Sequence, residues 1–328
     1  MSLNLMKKGP TPTVAHRALG YLHSSITATI FFVVLGLPIA IFAIFGYFFP
    51  YLAIAYLFWI SKDKAGSKDG RRFEWYRNLA IWKYISNYFP CELIFDDYEE
   101  IKKHKQVLMG SSPHGIIGVA TQINFGTNAN AISDLMPAIT PVTLASNFKL
   151  PIIREFLLAF GFQSVSKKSC DYILSRGRSL LIVIGGAQEA MYVSETNYKL
   201  IIKQRRGFFK LAIKHGVPLV PVFNFGENSV YTYVPSPTWD RLQSLIKNAF
   251  GIVMPLFHGR RYRKGWSFVP HKQPLITIIG KPILVNKDFN PTNDEINRLQ
   301  DLYVKELERL FFKYRGEYGP HIKKLTFC

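Results

Sequence analysis

The apolar positions of this chain change character along its length, and the change is sharpest near the start. From Ala18 to Ser61 there is no Asp, Glu, Lys or Arg, and the stretch "ITATIFFVVLGLPIAIFAIFGYFFPYLAIAYLFWI" (26–60) is nearly all apolar. As one helix these 35 residues would run roughly 52 Å, well past a hydrocarbon core of about 30 Å. Gly36-Leu37-Pro38 and the Gly46 to Pro50 stretch offer places to break it. The pattern therefore predicts two short membrane-embedded helices forming a hairpin. The run is too long and too late for a signal peptide, and no small-residue cleavage site follows it. Lys7, Lys8 and Arg17 precede it, while Lys62, Lys64, Lys68, Arg71 and Arg72 follow. Basic flanks on both sides predict that both ends stay cytoplasmic.

The polar segment "SKDKAGSKDGRR" (61–72) separates this run from "FEWYRNLAIWKYISNYFP" (73–90), whose apolar and aromatic residues recur at helical spacing. Such a helix would lie on the core or in the membrane interface, where Trp and Tyr prefer to sit. Beyond it, short apolar runs alternate with longer helical patterns. Strands are predicted at 106–111, 139–145, 179–186, 217–224 and 275–280, and helices near 152–160, 170–176, 205–215 and 294–314. The last begins at Pro291-Thr292 with acidic residues and ends in basic ones, as helix termini favour. This alternation predicts an α/β fold, a largely parallel sheet flanked by helices. The chain so divides into an N-terminal cytosolic tail (1–25), the hairpin (26–60), a linker with an interfacial helix (61–90) and a cytosolic α/β domain (91–328).

Composition sharpens this only in places. The 328 residues are 48% hydrophobic and 15% aromatic, which speaks against disorder. A formal charge of +19 calls for an anionic surface or ligand, with nucleic acid and a cytoplasmic membrane face as the two classes. Cys91, Cys170 and Cys328 form neither a disulfide framework nor a zinc pattern, and Pro291 blocks the Asn290-Pro291-Thr292 glycosylation match. Both point to a reducing compartment.

In open parallel sheets, ligands bind beyond the C-terminal strand ends. "MGSSPHGIIG" (109–118) puts His114 there, between Pro113, which stiffens the chain, and Gly115, which permits close approach. Its imidazole suits a general base near neutral pH, and the local sequence fits a plain surface turn equally well. No second histidine lies at metal-ligand spacing. "IGGAQEA" (184–190) ends another strand with Gly185 and Gly186, a turn whose N–H groups suit an anion or oxyanion. Glu189 then either orients His114, holds a polar substrate group, or simply faces a helix N-terminus. Basic residues gather after the strands, at Lys167 and Lys168, Arg176 and Arg178, Lys203, Arg205 and Arg206, and in "HGRRYRKG" (258–265). Singly each reads as a solvated charge; together they suit the phosphates of a nucleotide carrier such as coenzyme A, or lipid headgroups. The chain has no GxSxG elbow, P-loop, HExxH or strand-linked GxGxxG.

Several blocks in order resemble the type 2 diacylglycerol acyltransferases and their monoacylglycerol and wax-alcohol relatives. They are "WKYISNYFP", "SPHGIIGVATQINFGT", "NFKLPIIREFLLAFGFQSVSKKS", "IGGAQEAMY", "RRGFFKLAIKHGVPLVPVFNFGEN", "FHGRR" and "IIGKPI". The family's hallmark is usually His-Pro-His-Gly; here it reads Ser112-Pro113-His114-Gly115, with the first histidine replaced. "FHGRR" likewise departs from the usual Gly-Arg-Gly ending. Glycerophosphate-type acyltransferases pair a histidine with an aspartate five residues on, where this chain has Val119.

The resemblance implies a glycerolipid-acyltransferase-like fold and acyl transfer from acyl-CoA to the hydroxyl of diacylglycerol. It implies His114 as a catalytic residue; Glu189 is expected beside it, and substrate contacts are expected at Pro113, Gly115, Asn147, Lys149, Gly185, Gly186, Arg205, Arg206 and Arg260. Monoacylglycerol or a long-chain alcohol is the alternative acceptor, and a lipid-binding membrane protein that has lost catalysis is the non-enzymatic alternative. No cofactor or metal is expected, since acyl-CoA is a substrate. The expected partners are acyl-CoA, a lipid alcohol and membrane lipid, with a homo-oligomer left open and nucleic acid excluded. The expected location is the endoplasmic reticulum membrane, extending to lipid droplets.

Overall fold

In the computed structural model, residues 3–4, 14, 49–136, 138–250, 255–260 and 267–328 are described. Their strands are β1 (Leu3–Asn4), β2 (Cys91–Phe95), β3 (Leu108–Ser112), β4 (Ile139–Thr143), β5 (Gln163–Ser164) and β6 (Ser179–Val183). They continue with β7 (Asn197–Leu200), β8 (Leu219–Phe225), β9 (Thr232–Tyr233), β10 (Phe257–His258), β11 (Leu275–Ile279) and β12 (Lys324–Phe327). Eight of them build one sheet in the order β1-β2-β11-β8-β3-β6-β4-β5. The run β8-β3-β6-β4-β5 is parallel throughout, and β2 is parallel to β11. Two pairings are antiparallel, β1 with β2 and β11 with β8.

The central strands read as unbroken apolar runs because both sheet faces are covered. Every residue of β3 and β8 is buried. Successive side chains alternate between the two layers, as a pleat requires. Leu108, Leu180, Leu219 and Ile278 face the helices Arg206–His215 and Asn293–Tyr318 with Phe208, Phe209, Tyr303 and Leu307. Met109, Leu181, Val220 and Ile279 face the opposite layer with Phe125, Ile132 and Met136. The long helix starts as its sequence predicts: Thr292 and Glu295 form a reciprocal capping box, with the Thr292 N–H on Glu295 Oε2 at 2.7 Å. It is pinned to β2 by buried Asp96, which accepts from Tyr314 at 2.8 Å and from Arg309 and Lys313.

The five predicted strands and four predicted helices all form, with ends shifted by a few residues. The predicted 170–176 helix begins three residues earlier, at Lys167, because Ser166 caps it by accepting the Ser169 N–H. Several features differ, among them short strands such as β7 and β12 that the apolar pattern does not predict. The strand Cys91–Phe95 precedes the one before His114, so that loop does not follow the first strand of the α/β region. The single helix expected over 73–90 is two, Glu74–Arg77 and Ala80–Tyr88, broken where Leu79 takes an extended conformation (φ −58°, ψ 137°). The break splits their roles: Trp75 is 69% exposed, whereas Trp82 packs in a buried cluster with Phe148, Leu158 and Phe160. A further helix, Pro237–Phe250, was not foreseen.

Most of the predicted hairpin, residues 26–48, lies outside the described residues. Its last part is the helix Phe49–Lys62, with Tyr51, Leu52, Ile54 and Phe58 exposed. Among the described residues no helix is long and apolar enough to cross a membrane.

Candidate active site

Because β6, β3 and β8 run parallel side by side, the segments that follow them leave the sheet at one edge. The β3 segment is Pro113-His114-Gly115, that of β6 is Ile184 to Glu189, and that of β8 is Gly226-Glu227. The Ser112–Pro113 peptide is cis, and Gly115 (φ +62°) and Gly118 (φ +71°) take conformations that other residues adopt only under strain.

His114 is half-buried. Its Nδ1 lies 3.1 Å from the Gly115 carbonyl oxygen. A carbonyl can only accept, so this contact puts the ring proton on Nδ1 and the lone pair on Nε2. Burial pushes the imidazole below its ordinary value of 6.5, partly offset by the bond to Gly115. The ring is thus neutral at neutral pH, the state a base needs.

Glu189 is 3% exposed and does touch His114, though through the backbone. Its Oε2 accepts the His114 N–H at 2.9 Å and its Oε1 accepts the Ile201 N–H at 2.8 Å. It therefore orients the loop that carries the imidazole, and the His114 N–H is not available to an oxyanion. Burial raises the Glu189 carboxyl to about 7, against the pull of these two bonds and of the Arg205 charge. Gly185 is glycine because the carboxyl folds back over it: a Cβ there would lie 1.9 Å from Glu189 Cδ. Gly186 needs its freedom for another reason, a φ of +58°. Arg205 Nη2 closes the same turn, donating to the Gly185 carbonyl at 3.0 Å and to Gln188 Oε1 at 3.1 Å.

The remaining predicted residues are more scattered. Asn147 and Lys149 lie on the turn Ala145–Lys149, past the C-terminal end of β4 and so at the same sheet edge. Asn147 donates to Thr143 Oγ1 at 2.9 Å, and Lys149 is exposed. Arg206 points elsewhere, bonding Asn293 Oδ1 at 2.9 Å at the start of the long helix. Arg260 is exposed and follows β10, its backbone N–H held by the Val269 carbonyl at 2.7 Å. Ser112 is fully buried, and its hydroxyl has no hydrogen-bond partner among the described residues.

One residue of this edge was missed. Glu227, 2% exposed, accepts the N–H groups of Val119 at 2.8 Å and Ala120 at 2.7 Å, and burial raises it to about 7. The signal was present, since "FNFGEN" repeats the order of strand, glycine and acid seen in "VIGGAQE".

The family profile described as diacylglycerol acyltransferase matches residues 41–327. The chain is 36% identical over its whole length to 2-acylglycerol O-acyltransferase 1 of Bos taurus, covering 98% of that protein. It is 39% identical to diacylglycerol O-acyltransferase 2A of Umbelopsis ramanniana over 92% of this chain and 86% of that one. Identity to human diacylglycerol O-acyltransferase 2 is 36%, over 82% and 71% respectively. Among solved structures, the 1-acyl-sn-glycerophosphate acyltransferase PlsC of Thermotoga maritima aligns with a TM-score of 0.43 at 12% identity, covering 92% of this chain and 99% of that one. That likeness is too distant to support a conclusion.

Proposed function

Because the chain belongs to the diacylglycerol acyltransferase family, we propose that it is an acyl-CoA-dependent O-acyltransferase that esterifies diacylglycerol to triacylglycerol, with His114 as general base. The reading rests on one observation above the family match. The bond from His114 Nδ1 to the Gly115 carbonyl leaves Nε2 unprotonated at an edge where three parallel strands end. Nε2 takes the proton of the acceptor hydroxyl as its oxygen attacks the thioester carbonyl. The tetrahedral intermediate collapses, the C–S bond breaks, and the coenzyme A thiolate leaves, a weak base that needs little help from an acid. The N–H group of Gly115, or those of Gly185 and Gly186, are the donors proposed for the oxyanion. Glu189 contributes by holding the loop, and the cations Arg205, Lys149 and Arg260 are the proposed partners of the coenzyme A phosphates, whereas Arg206 is engaged by Asn293.

The apolar acceptor reaches this edge from a membrane. The exposed residues of the helix Phe49–Lys62, together with Phe73 and Trp75, fit that setting, as does the hairpin proposed over 26–60 with both ends cytosolic. The proposed setting is the endoplasmic reticulum membrane and lipid droplets. Monoacylglycerol stands as a second acceptor, since the bovine relative that matches the whole chain is named a 2-acylglycerol O-acyltransferase.

The test is labelled acyl-CoA turnover in membranes that carry the wild-type chain or His114→Ala, offered diacylglycerol, monoacylglycerol or a long-chain alcohol. The rate with diacylglycerol is expected to fall by about 10²–10⁴ in the variant, the usual contribution of a positioned base. Normal turnover in the variant refutes the base. Lipid binding without turnover in the wild type refutes the enzyme.

A further inference from the structure

Glu227 is a fully buried acid that the reaction above does not use. Gly226 (φ +84°) turns the chain sharply after β8, and a Cβ there would lie 1.9 Å from the Pro274 carbonyl oxygen. The turn sends Glu227 inward, beneath the loop that carries His114. There one carboxylate takes two adjacent N–H groups, those of Val119 and Ala120, at the start of the short helix Val119–Thr121. Its stem also touches the loop itself: a Cβ on Gly115 would lie 2.7 Å from Glu227 Cγ and 3.0 Å from its carbonyl oxygen. Gly115 therefore rests directly on Glu227. The Gly115 carbonyl is in turn the acceptor for His114 Nδ1.

We propose that Glu227 is a positioning residue for acyl transfer: by seating Gly115 and tethering Val119 and Ala120, it aims the carbonyl that fixes the His114 tautomer. Glu189 holds the His114 N–H and Glu227 holds the far end of the same loop, so two carboxylates pin it on either side of the imidazole. Burying an acid is costly, and an apolar side chain would fill this space without that cost. Two parallel backbone N–H groups, however, are matched by a carboxylate and by no neutral side chain of that length. The inference rests on the reading of His114 as the base.

The test uses the full chain in lipid vesicles, comparing wild type, Glu227→Gln and His114→Ala. The Gln variant keeps size and shape but offers one acceptor and turns an NH₂ towards the second N–H. Its kcat is expected to fall about 10- to 100-fold while KM for acyl-CoA stays within about twofold, because donor binding is untouched. Nitrogen-15 NMR of labelled histidine, with the His114 signals assigned by their loss in His114→Ala, reads the tautomer directly. The Nδ1-protonated pattern of the wild type is expected to give way to a mixture. Wild-type kcat in Glu227→Gln overturns the proposal, as does a loss that merely tracks the folded fraction with the tautomer unchanged. If Glu227→Gln does not fold, Glu227→Asp keeps the charge but draws the carboxylate back from the Val119 and Ala120 N–H groups; the same loss of tautomer supports the proposal and an unchanged one overturns it. An active His114→Ala refutes the base itself, whereas an inactive His114→Ala beside a fully active Glu227→Gln refutes only the role of Glu227.

Discussion

Replacing Glu189 by Gln separates its service to the loop from its cost to the fold. The carboxyl is 3% exposed and its rise from 4.5 to about 7 corresponds to about 3 kcal/mol of burden on the ionised form at neutral pH. Gln removes that burden. It also loses one charge-assisted bond, worth roughly 1.5–3 kcal/mol, because its single oxygen cannot serve both the His114 and the Ile201 N–H. The two effects offset, so the net change in stability is expected to stay within about 1 kcal/mol. Activity has no such compensation. With the His114 N–H unheld, a displacement of the imidazole by a fraction of an ångström is expected to cost about 10²-fold in kcat. A raised carboxyl pKa means that the folded state holds its proton longer than the unfolded one. Its stabilising effect is therefore full below about pH 4.5 and is lost as pH rises through about 7. Glu189→Gln should flatten that decline. The assay pairs acyl-CoA turnover with thermal melting across pH 4.5–8. A variant that melts like the wild type and keeps its activity within threefold would refute the positioning role. A variant whose activity loss merely follows its unfolding would do the same.

Gly185→Ala puts a Cβ 1.9 Å from Glu189 Cδ; it should cost as much activity as Glu189→Gln, and the double variant should be no worse, which turnover in a double-mutant cycle checks. Ser112→Ala removes a buried hydroxyl that has no partner among the described residues; melting should be unchanged or raised by about 1 kcal/mol, with turnover within threefold, and a collapse of activity would mean that Ser112 has taken over the missing histidine's role. Below about pH 7 both loop-holding carboxyls, each raised to about 7, take up protons before His114 does; turnover should fall through that range, and less steeply in Glu189→Gln, as rate-against-pH curves would show. Asp171 pairs with Lys214 and His215 at 2.8 Å on the helices Lys167–Ser175 and Arg206–His215, and these partners hold its carboxyl below the usual range despite partial burial. Asp171→Asn should lower the melting point slightly above about pH 4, the effect fading as acid protonates the wild-type carboxyl, with turnover unchanged.

Much of the sheet was legible in sequence because its inner strands must be apolar on both sides. "VPLVPVFN" and "SLLIVIGG" have no other economical reading, and they became β8 and β6. β2 escaped notice since "CELIF" is five residues long, with a glutamate at its half-exposed end. The antiparallel pairing of β11 with β8 is a property of connections, and no side-chain pattern announces it. His114 and Glu189 could be singled out because glycines mark the turns that carry them. What Glu189 does could not be read, because its partners are main-chain N–H groups and main chain has no letter in a sequence. The same holds for Glu227, whose partners lie 108 and 107 positions away.

The order of strands explains why the proposed base stands after β3 and the two acids after its neighbours. Parallel strands lie about 4.8 Å apart, so a side chain that leaves β6 or β8 reaches the loop after β3 but not the loop beyond it. β3 sits between those two, so its loop is held from both sides by the segments that follow them. Glu189 comes from the β6 side and takes the N–H before the imidazole; Glu227 comes from the β8 side and takes the N–H groups after it. With the loop pinned by bonds to its backbone, the imidazole has no carboxylate partner among the described residues, and burial rather than an ion pair lowers the basicity of His114. That arrangement favours a neutral imidazole whose Nε2 can take a proton from an alcohol. An acid bonded to the ring would instead favour its charged form.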